Sequence, residues 1–337
     1  MAWKNLTQRS LADSLATEHK AITELDDAHN LIDWHRIEQL LAGIHNKKRG
    51  ELAWPPLMMF KALLLQSWYG LSDPQLEKQI ARDLLFRRFV GLSLADTVPD
   101  HSTLWRFRHK LDKETLREKL LAEINEQLSE KSLYIKSGEI SIVDASVIQA
   151  QRNRPNKGAD GKNTQDPEAG YNVKVGADGK LKTTYGFKAH VNVDEDGFIK
   201  ATDFTAGNLH DSEYFTQLLS GKEEQVYADS AYASAATDEW LAKNNIDNCV
   251  LKRAYRNKPL TEQQKQHNKK CSPIRSIVER SFGVMKLHYG MAKAHYLGLA
   301  RNHMRFGLIC MAHNIKRGVS LLREINETQD SYVLKMK

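Results

Sequence analysis

Residues 139–148 read Glu-Ile-Ser-Ile-Val-Asp-Ala-Ser-Val-Ile, a β-branched run of the kind that fills a buried central strand. This run constrains the fold more than any other stretch, because it marks a change of period. Before residue 135 the apolar residues recur at helical spacing; after it they cluster and alternate as strands do. A chain of 337 residues is long enough for two such segments, each with its own core. Asp144 lies in the middle of the run. A carboxylate buried there is very costly unless hydrogen bonds or a cation compensate it, so the position demands a partner.

The first segment, 1–135, reads as an all-α domain for DNA binding and assembly. Residues 33–44 place Leu40, Leu41 and Ile44 at helical spacing, and Pro56–Trp68 is apolar nearly all round, which puts it in the middle of a bundle. Asp73 is expected to cap a helix through Arg82, and Ser102 to cap a helix over 103–111 after a loop containing Pro99. A longer amphipathic helix covers 113–130. In 103–111, Leu104, Phe107 and Leu111 form one buried stripe, while Arg106, Arg108 and Lys110 project from the remaining faces. Such a helix fits a helix-turn-helix reader, spanning 73–111, that turns Arg106 and Arg108 to DNA. The same residues also fit an ordinary bundle helix with a solvated charged face, and both readings stay open.

Downstream, strands are expected over 139–148, 185–193 and 198–205, the last two joined by Asp194-Glu195-Asp196-Gly197, a strong hairpin signal. A helix capped by Asp211 or Ser212 should run to Leu219, followed by a strand at 225–229, a helix over 234–244, a strand at 246–252 and a helix over 272–289. This order predicts a mixed five-stranded sheet with flanking helices, an α/β domain over 136–320, leaving 321–337 as a tail. Residues 151–184 show little periodicity and hold Pro155 and Pro167. They read as a long loop insertion between the first two strands. Eight Lys or Arg between Arg152 and Lys188 fit DNA as its partner or a simply solvated loop.

Two further carboxylates can join Asp144. Asp229 ends the strand Val-Tyr-Ala-Asp, and ligands of open sheets gather outside the carboxyl ends of strands. Glu279 is isolated in a basic field: between Leu251 and Lys293 there are eleven Lys or Arg and two acids, Glu262 and Glu279. Carboxylates from the first strand, the fourth strand and the last helix could converge on divalent cations, an oxygen-rich set suited to Mg²⁺ or Mn²⁺. On a helix, Arg275, Glu279 and Lys286 fall within about 40° of one another, so the acid is flanked by two cations able to hold phosphates. Gly283 on the same side would permit close backbone approach. Two metal ions would clamp the attacking and leaving oxygens of a phosphodiester displacement.

The net charge of +7 favours an anionic partner, weakly by itself. Three scattered cysteines show no zinc spacing and no disulfide framework, as expected in a reducing cytoplasm. No secretory leader is legible at 1–15, and no apolar run reaches about 18 residues, so no membrane is expected as a partner.

Several blocks resemble bacterial insertion-sequence transposases of the DDE class, the insertion-sequence-five family. They are Ile-Val-Asp-Ala-Ser around Asp144, Ala-Asp-Ser-Ala-Tyr from Asp229 to Tyr232, and the spaced trio Arg275, Glu279 and Lys286. Trp-Tyr-Gly-Leu-Ser at 68–72, Pro-Asp-His-Ser-Thr-Leu-Trp-Arg-Phe-Arg at 99–108, Asp-Pro-Glu-Ala at 166–169, Tyr-Gly-Phe-Lys-Ala-His at 185–190 and Asn-Leu-His-Asp at 208–211 add to it. The resemblance covers nearly the whole chain and implies an RNase H-like catalytic core with Asp144, Asp229 and Glu279 as catalytic and metal residues. It implies two Mg²⁺ ions, for which Mn²⁺ substitutes, hydrolysis at the ends of a mobile element, and attack of the freed 3′-OH on target DNA. Arg275, Lys286 and Tyr232 would contact DNA. The expected partners are double-stranded DNA, both terminal inverted repeats and target, and a second copy in a homodimer or larger synaptic complex, in the bacterial cytoplasm on the nucleoid. One departure stands out: the family often carries Tyr three residues before the Arg, where this chain has Ser272. An RNase H-like nuclease without strand transfer and a catalytically silent DNA-binding regulator are the alternatives.

Overall fold

The computed structural model describes residues 19–44, 52–113, 116–133, 139–152, 156–159, 161, 165–175, 179–254 and 258–335. The chain divides into two compact units, one of Met1–Leu133 with Gly307–Lys337, the other of Tyr134–Phe306.

The first unit is helical: α1 (Lys20–Thr23), α2 (Asp26–Leu31), α3 (Trp34–Leu41), α4 (Pro56–Trp68), α5 (Asp73–Arg82), α6 (Leu84–Val90), α7 (His101–Lys113) and α8 (Leu116–Glu130). α4 starts on a proline at its first position, where the missing N–H has no helical partner to lose, and is buried at every position except Leu57. Two expected caps are displaced. Ser72, not Asp73, opens α5, its N–H held 2.9 Å from the Gln75 side chain, because Pro74 sits best inside the first turn. At α7 the Asp100 carboxylate accepts from the Thr103 N–H at 2.9 Å, so Asp100 caps in place of Ser102. Leu104, Phe107 and Leu111 form the buried stripe the spacing predicts.

The final helix, α11 (Leu299–Lys335), continues across residue 320, where a tail was expected to begin. From Gly307 onward it belongs with the helical unit. The Trp68 indole N–H donates to the Ala312 carbonyl at 2.8 Å, and the Asn314 amide donates to Asn125 Oδ1 at 2.7 Å.

The second unit is built on one sheet of six strands: β1 (Ile140–Gln149), β2 (Gly170–Val175), β3 (Leu181–Val193), β4 (Ile199–Ala206), β5 (Gln225–Ala228) and β6 (Asp247–Val250). β1 pairs antiparallel with β3 and parallel with β5, β3 pairs antiparallel with β4, and β5 pairs parallel with β6. Leaving β2 aside, the spatial order is β4-β3-β1-β5-β6, the mixed sheet of an RNase H-like core. α9 (Ala235–Lys243) and α10 (Glu262–His288) flank it. Phe215, Tyr232, Leu241 and Val143 meet in one buried cluster.

Three expectations change here. The 151–184 segment is not all loop: β2 forms from Gly170, and β3 starts at Leu181, so together they make a hairpin arm. Residues 153–155, 160, 162–164 and 176–178 of that segment lie outside the described residues. The helix expected up to Leu219 is two 3₁₀ turns, Asp211–Tyr214 and Thr216–Leu218, and the His210 side chain accepts from the Ser212 N–H in place of an Asp211 or Ser212 cap. α10 begins ten residues before the expected 272, in a capping box between Thr261 and Gln264.

At Gly186 the partners of β3 change from β2 to β4. A Cβ there would collide with the carbonyl of Ile148, and one at Gly207 would lie 2.6 Å from the Gly170 carbonyl. Backbone approach this close excludes any side chain, which accounts for the glycine of the Tyr-Gly-Phe-Lys-Ala-His block.

Candidate active site

The last register pair between the parallel strands β1 and β5 is Val143 with Ala228. The next residue on each is Asp144 and Asp229, so the sheet itself sets the two carboxylates side by side at the carboxyl end of β5. Each is steadied by the backbone: Asp144 Oδ1 accepts from the Ala145 N–H at 2.8 Å, and Asp229 Oδ1 from the Ser230 N–H at 2.7 Å. Burial pushes the Asp144 carboxyl up to about 6; the Ala145 N–H and Arg275 oppose that shift and the Asp229 charge adds to it.

α10 delivers the remaining groups. Its buried face carries Val278 and Met285, and the Ser281 hydroxyl donates to the Gly197 carbonyl at 3.2 Å, tying the helix to the β3–β4 turn. The Lys252 N–H donates to Asn268 Oδ1 at 2.8 Å and the Asn268 amide returns to the Lys252 carbonyl, fixing the helix to the exit of β6. Arg275 Nη1 stands 3.7 Å from Asp144 Oδ2, and its other terminal nitrogen bonds Glu279 Oε1. One guanidinium, its side chain 16% exposed, thus links the 20%-exposed strand carboxylate to the 54%-exposed helix carboxylate. Lys286 lies on the same side; burial pushes its ammonium down, Lys174 pushes it further, and Asp144 opposes both.

Not every expected residue arrives. Among the described residues no group of three His, Cys, Asp or Glu is close enough to hold a metal ion. Asp144 and Asp229 come together; Glu279 is turned to Arg275. The hard oxygens of the adjacent aspartates, one of them partly buried beside a cation, do fit a divalent metal. Two expected DNA contacts are corrected. Tyr232 is 1% exposed, with its ring 5.5 Å from Phe215, and its hydroxyl has no hydrogen-bond partner among the described residues. Burial, then the charges of Asp144, Asp211 and Asp229, holds the phenol neutral. It anchors the turn after Asp229 and presents nothing to a duplex. Arg108 is 3% exposed and forms an ion pair with Asp73 and a 2.8 Å hydrogen bond to Gln66 Oε1, because its position faces α4 and α5. Arg106 is exposed and donates to the Ser102 and Thr103 hydroxyls of its own helix. At Gly283 a Cβ would meet nothing within 4 Å, so no close backbone approach is made there. Ser272 uses its hydroxyl on the Asn268 carbonyl at 2.7 Å, one turn back.

Sequence reasoning missed Lys174, which acts on both Asp144 and Lys286. The signal was present in Asp178-Gly179 between two alternating runs, a hairpin cue inside a segment read as loop.

An RNase H-like sheet with paired aspartates at adjacent parallel strands, and a basic helix bearing a third acid, is the build of a polynucleotidyl transferase core. Residues 135–315 match the transposase DDE domain family and residues 9–110 match a transposase domain, DUF772. The first match covers more than half of the chain, and the chain belongs to the transposase DDE domain family: it is a DNA transposase. Among solved structures it is similar to the Mos1 strand transfer complex at 10% identity and TM-score 0.20, covering 85% of this chain and 99% of that one. A pre-cleavage Mos1 transpososome matches at 10% identity and TM-score 0.19, covering 85% of each chain. Likeness at that level carries no argument; the strand order and the family match do. Enzymes of this class use divalent metal ions. No described helix is long and apolar enough to cross a membrane.

Proposed function

We propose that Asp144, Asp229 and Glu279 are the catalytic carboxylates of an insertion-sequence-five type transposase. On this reading the enzyme cuts the ends of its element and joins the freed 3′-OH to target DNA. The observation that supports it best is the placement of Asp144 and Asp229 at one step beyond the last pair of parallel strands, with Arg275 of the Glu279 helix already against Asp144.

Asp144 and Asp229 would hold divalent cations, two Mg²⁺ ions with Mn²⁺ as a substitute. When bound, these ions supply charge stabilisation for the attacking and leaving oxygens. Glu279 joins the set by giving up Arg275. The guanidinium, a cation against Asp144 in the present arrangement, is then free for a phosphate, and Lys286 on the same helix face holds a second. The sheet holds Asp144 and Asp229 in register, so the orientation of these two costs little at the moment of reaction. Arg106, on the exposed face of α7, contacts duplex DNA from the helical segment 1–135, which serves DNA binding and assembly. Two element ends must be paired, so the working form is a homodimer or a larger synaptic complex, in the bacterial cytoplasm on the nucleoid.

The test is a supercoiled plasmid carrying paired element ends, incubated with the protein and Mg²⁺. Joined products are expected; cuts without joining would make the protein a nuclease, and binding alone a regulator. Glu279→Gln should lower cutting by on the order of a hundredfold or more, as loss of a group acting on transition-state charge does, with DNA binding retained. Strand transfer surviving in that variant would overturn the assignment.

A further inference from the structure

The β2–β3 arm is two-sided. Its register pairs Tyr171 with Tyr185, Val173 with Thr183 and Val175 with Leu181 on one face; on the other it pairs Asn172 with Thr184 and Lys174 with Lys182. Residues directly opposite in an antiparallel pair lie on the same face with side chains in reach, and like charges so placed repel. Lys174 and Lys182 are such a pair, both exposed. Nothing in the fold of a two-stranded ribbon requires two lysines there. A bridging anion turns their repulsion into attraction.

The place of this pair in the unit gives the anion an identity. Lys174 is within electrostatic range of Asp144 and of Lys286 on α10. Lys174 of β2 and Lys286 of α10 therefore stand near the catalytic aspartate, and Lys182 of β3 adjoins Lys174 across the ribbon. A small anion needs one such group. A line of cations that runs from Lys286 to Lys174 and on across the ribbon to Lys182 suits a repeating polyanion, each phosphate meeting a successive lysine.

We propose that Lys174 and Lys182 form a phosphate clamp that grips the DNA backbone next to the bond being cut, continuing outward from Lys286. This inference rests on the transposase reading above and adds its site on the DNA: the hairpin arm holds the cleaved strand. The residues are positioning residues and make no bond with the reacting atoms.

The test measures binding of a fluorescent random-sequence DNA duplex to the full chain without divalent metal, as a function of salt. Each phosphate contact contributes about 0.9 to the slope of log K against log salt. Lys174→Gln with Lys182→Gln should lower the slope by between about 1 and 2, while Lys174→Arg with Lys182→Arg should restore it. A slope unchanged in the Gln pair, with the wild type binding normally, would overturn the clamp and leave the transposase reading standing. Failure of the wild type itself to bind duplex DNA would overturn both.

Discussion

Asp194 closes the β3–β4 hairpin from inside. Its Oδ1 accepts from the Phe198 N–H at 2.8 Å and the Asp196 N–H at 3.0 Å, while Oδ2 has no hydrogen-bond partner among the described residues. Burial pushes this carboxyl up to about 7; the Phe198 N–H and Lys200 oppose the shift and Asp196 adds to it. An unfolded Asp titrates near 3.9, so between about pH 4 and 7 the folded state holds more protons than the unfolded one. Stability therefore falls as pH rises through that window, and the cost is fully present above it. Asp194→Asn keeps the Oδ1 acceptor and removes the charge. The variant should exceed the wild type in stability at pH 8 by on the order of 2 kcal/mol, with the gap closing toward pH 4 in thermal melts. Parallel pH curves would show that the carboxyl titrates normally. In the sequence this residue read as a plain turn acid, since burial of a hairpin residue is set by the helix packed over it.

The helix α7 carries a reader-like pattern of which one half turned inward. Arg106 and Arg108 are two residues apart, so they project in different directions. One is exposed, and the other neutralises Asp73 beneath the surface. Arg108→Ala removes the cation from the Asp73 carboxylate and leaves it the Gln66 amide at 2.7 Å, which should cost on the order of 3 kcal/mol, seen as a large fall in melting temperature. Arg106→Ala should leave stability within about 0.5 kcal/mol and weaken DNA binding instead. Equal melting temperatures in the two variants would contradict this division of roles. Elements with strong local signals were legible: Pro56–Trp68 by its apolar sweep, Ala235–Lys243 by its Ser234 cap, and β1 by its β-branched run. The start of α10 was hidden because Pro273 reads as a helix start, yet here it sits inside the helix. The proline removes one helical hydrogen bond there, and the capping box and the Asn268–Lys252 pair hold the turns before it.

For the whole molecule, the consequential difference is where the C-terminal helix belongs. Leu308, Ile309, Met311, Ala312 and Ile315 are buried, and a Cβ on Gly318 would lie 2.8 Å from Leu128 and 2.9 Å from Leu31. A chain ended after residue 306 strips this surface from the helical unit and removes the Ala312 carbonyl from the Trp68 indole and the Asn314 amide from Asn125 Oδ1. We expect that truncation to abolish the cooperative helical melt followed by circular dichroism, whereas a chain ended after residue 320 should retain it. An intact melt in the shorter chain would contradict the division of the two units.

The sequence by itself determined the class of core and singled out the three acids proposed for the site, with the cations spaced around the third, because period, turn chemistry and motif spacing are local properties of the chain. Only the tertiary structure decided which charges face inward. It paired Asp144 with Arg275, buried Tyr232 and Arg108, drew Glu279 to its own helix neighbour, and brought Lys174 toward the aspartate. Burial and charge pairing depend on residues distant in sequence, and no window along the chain contains them.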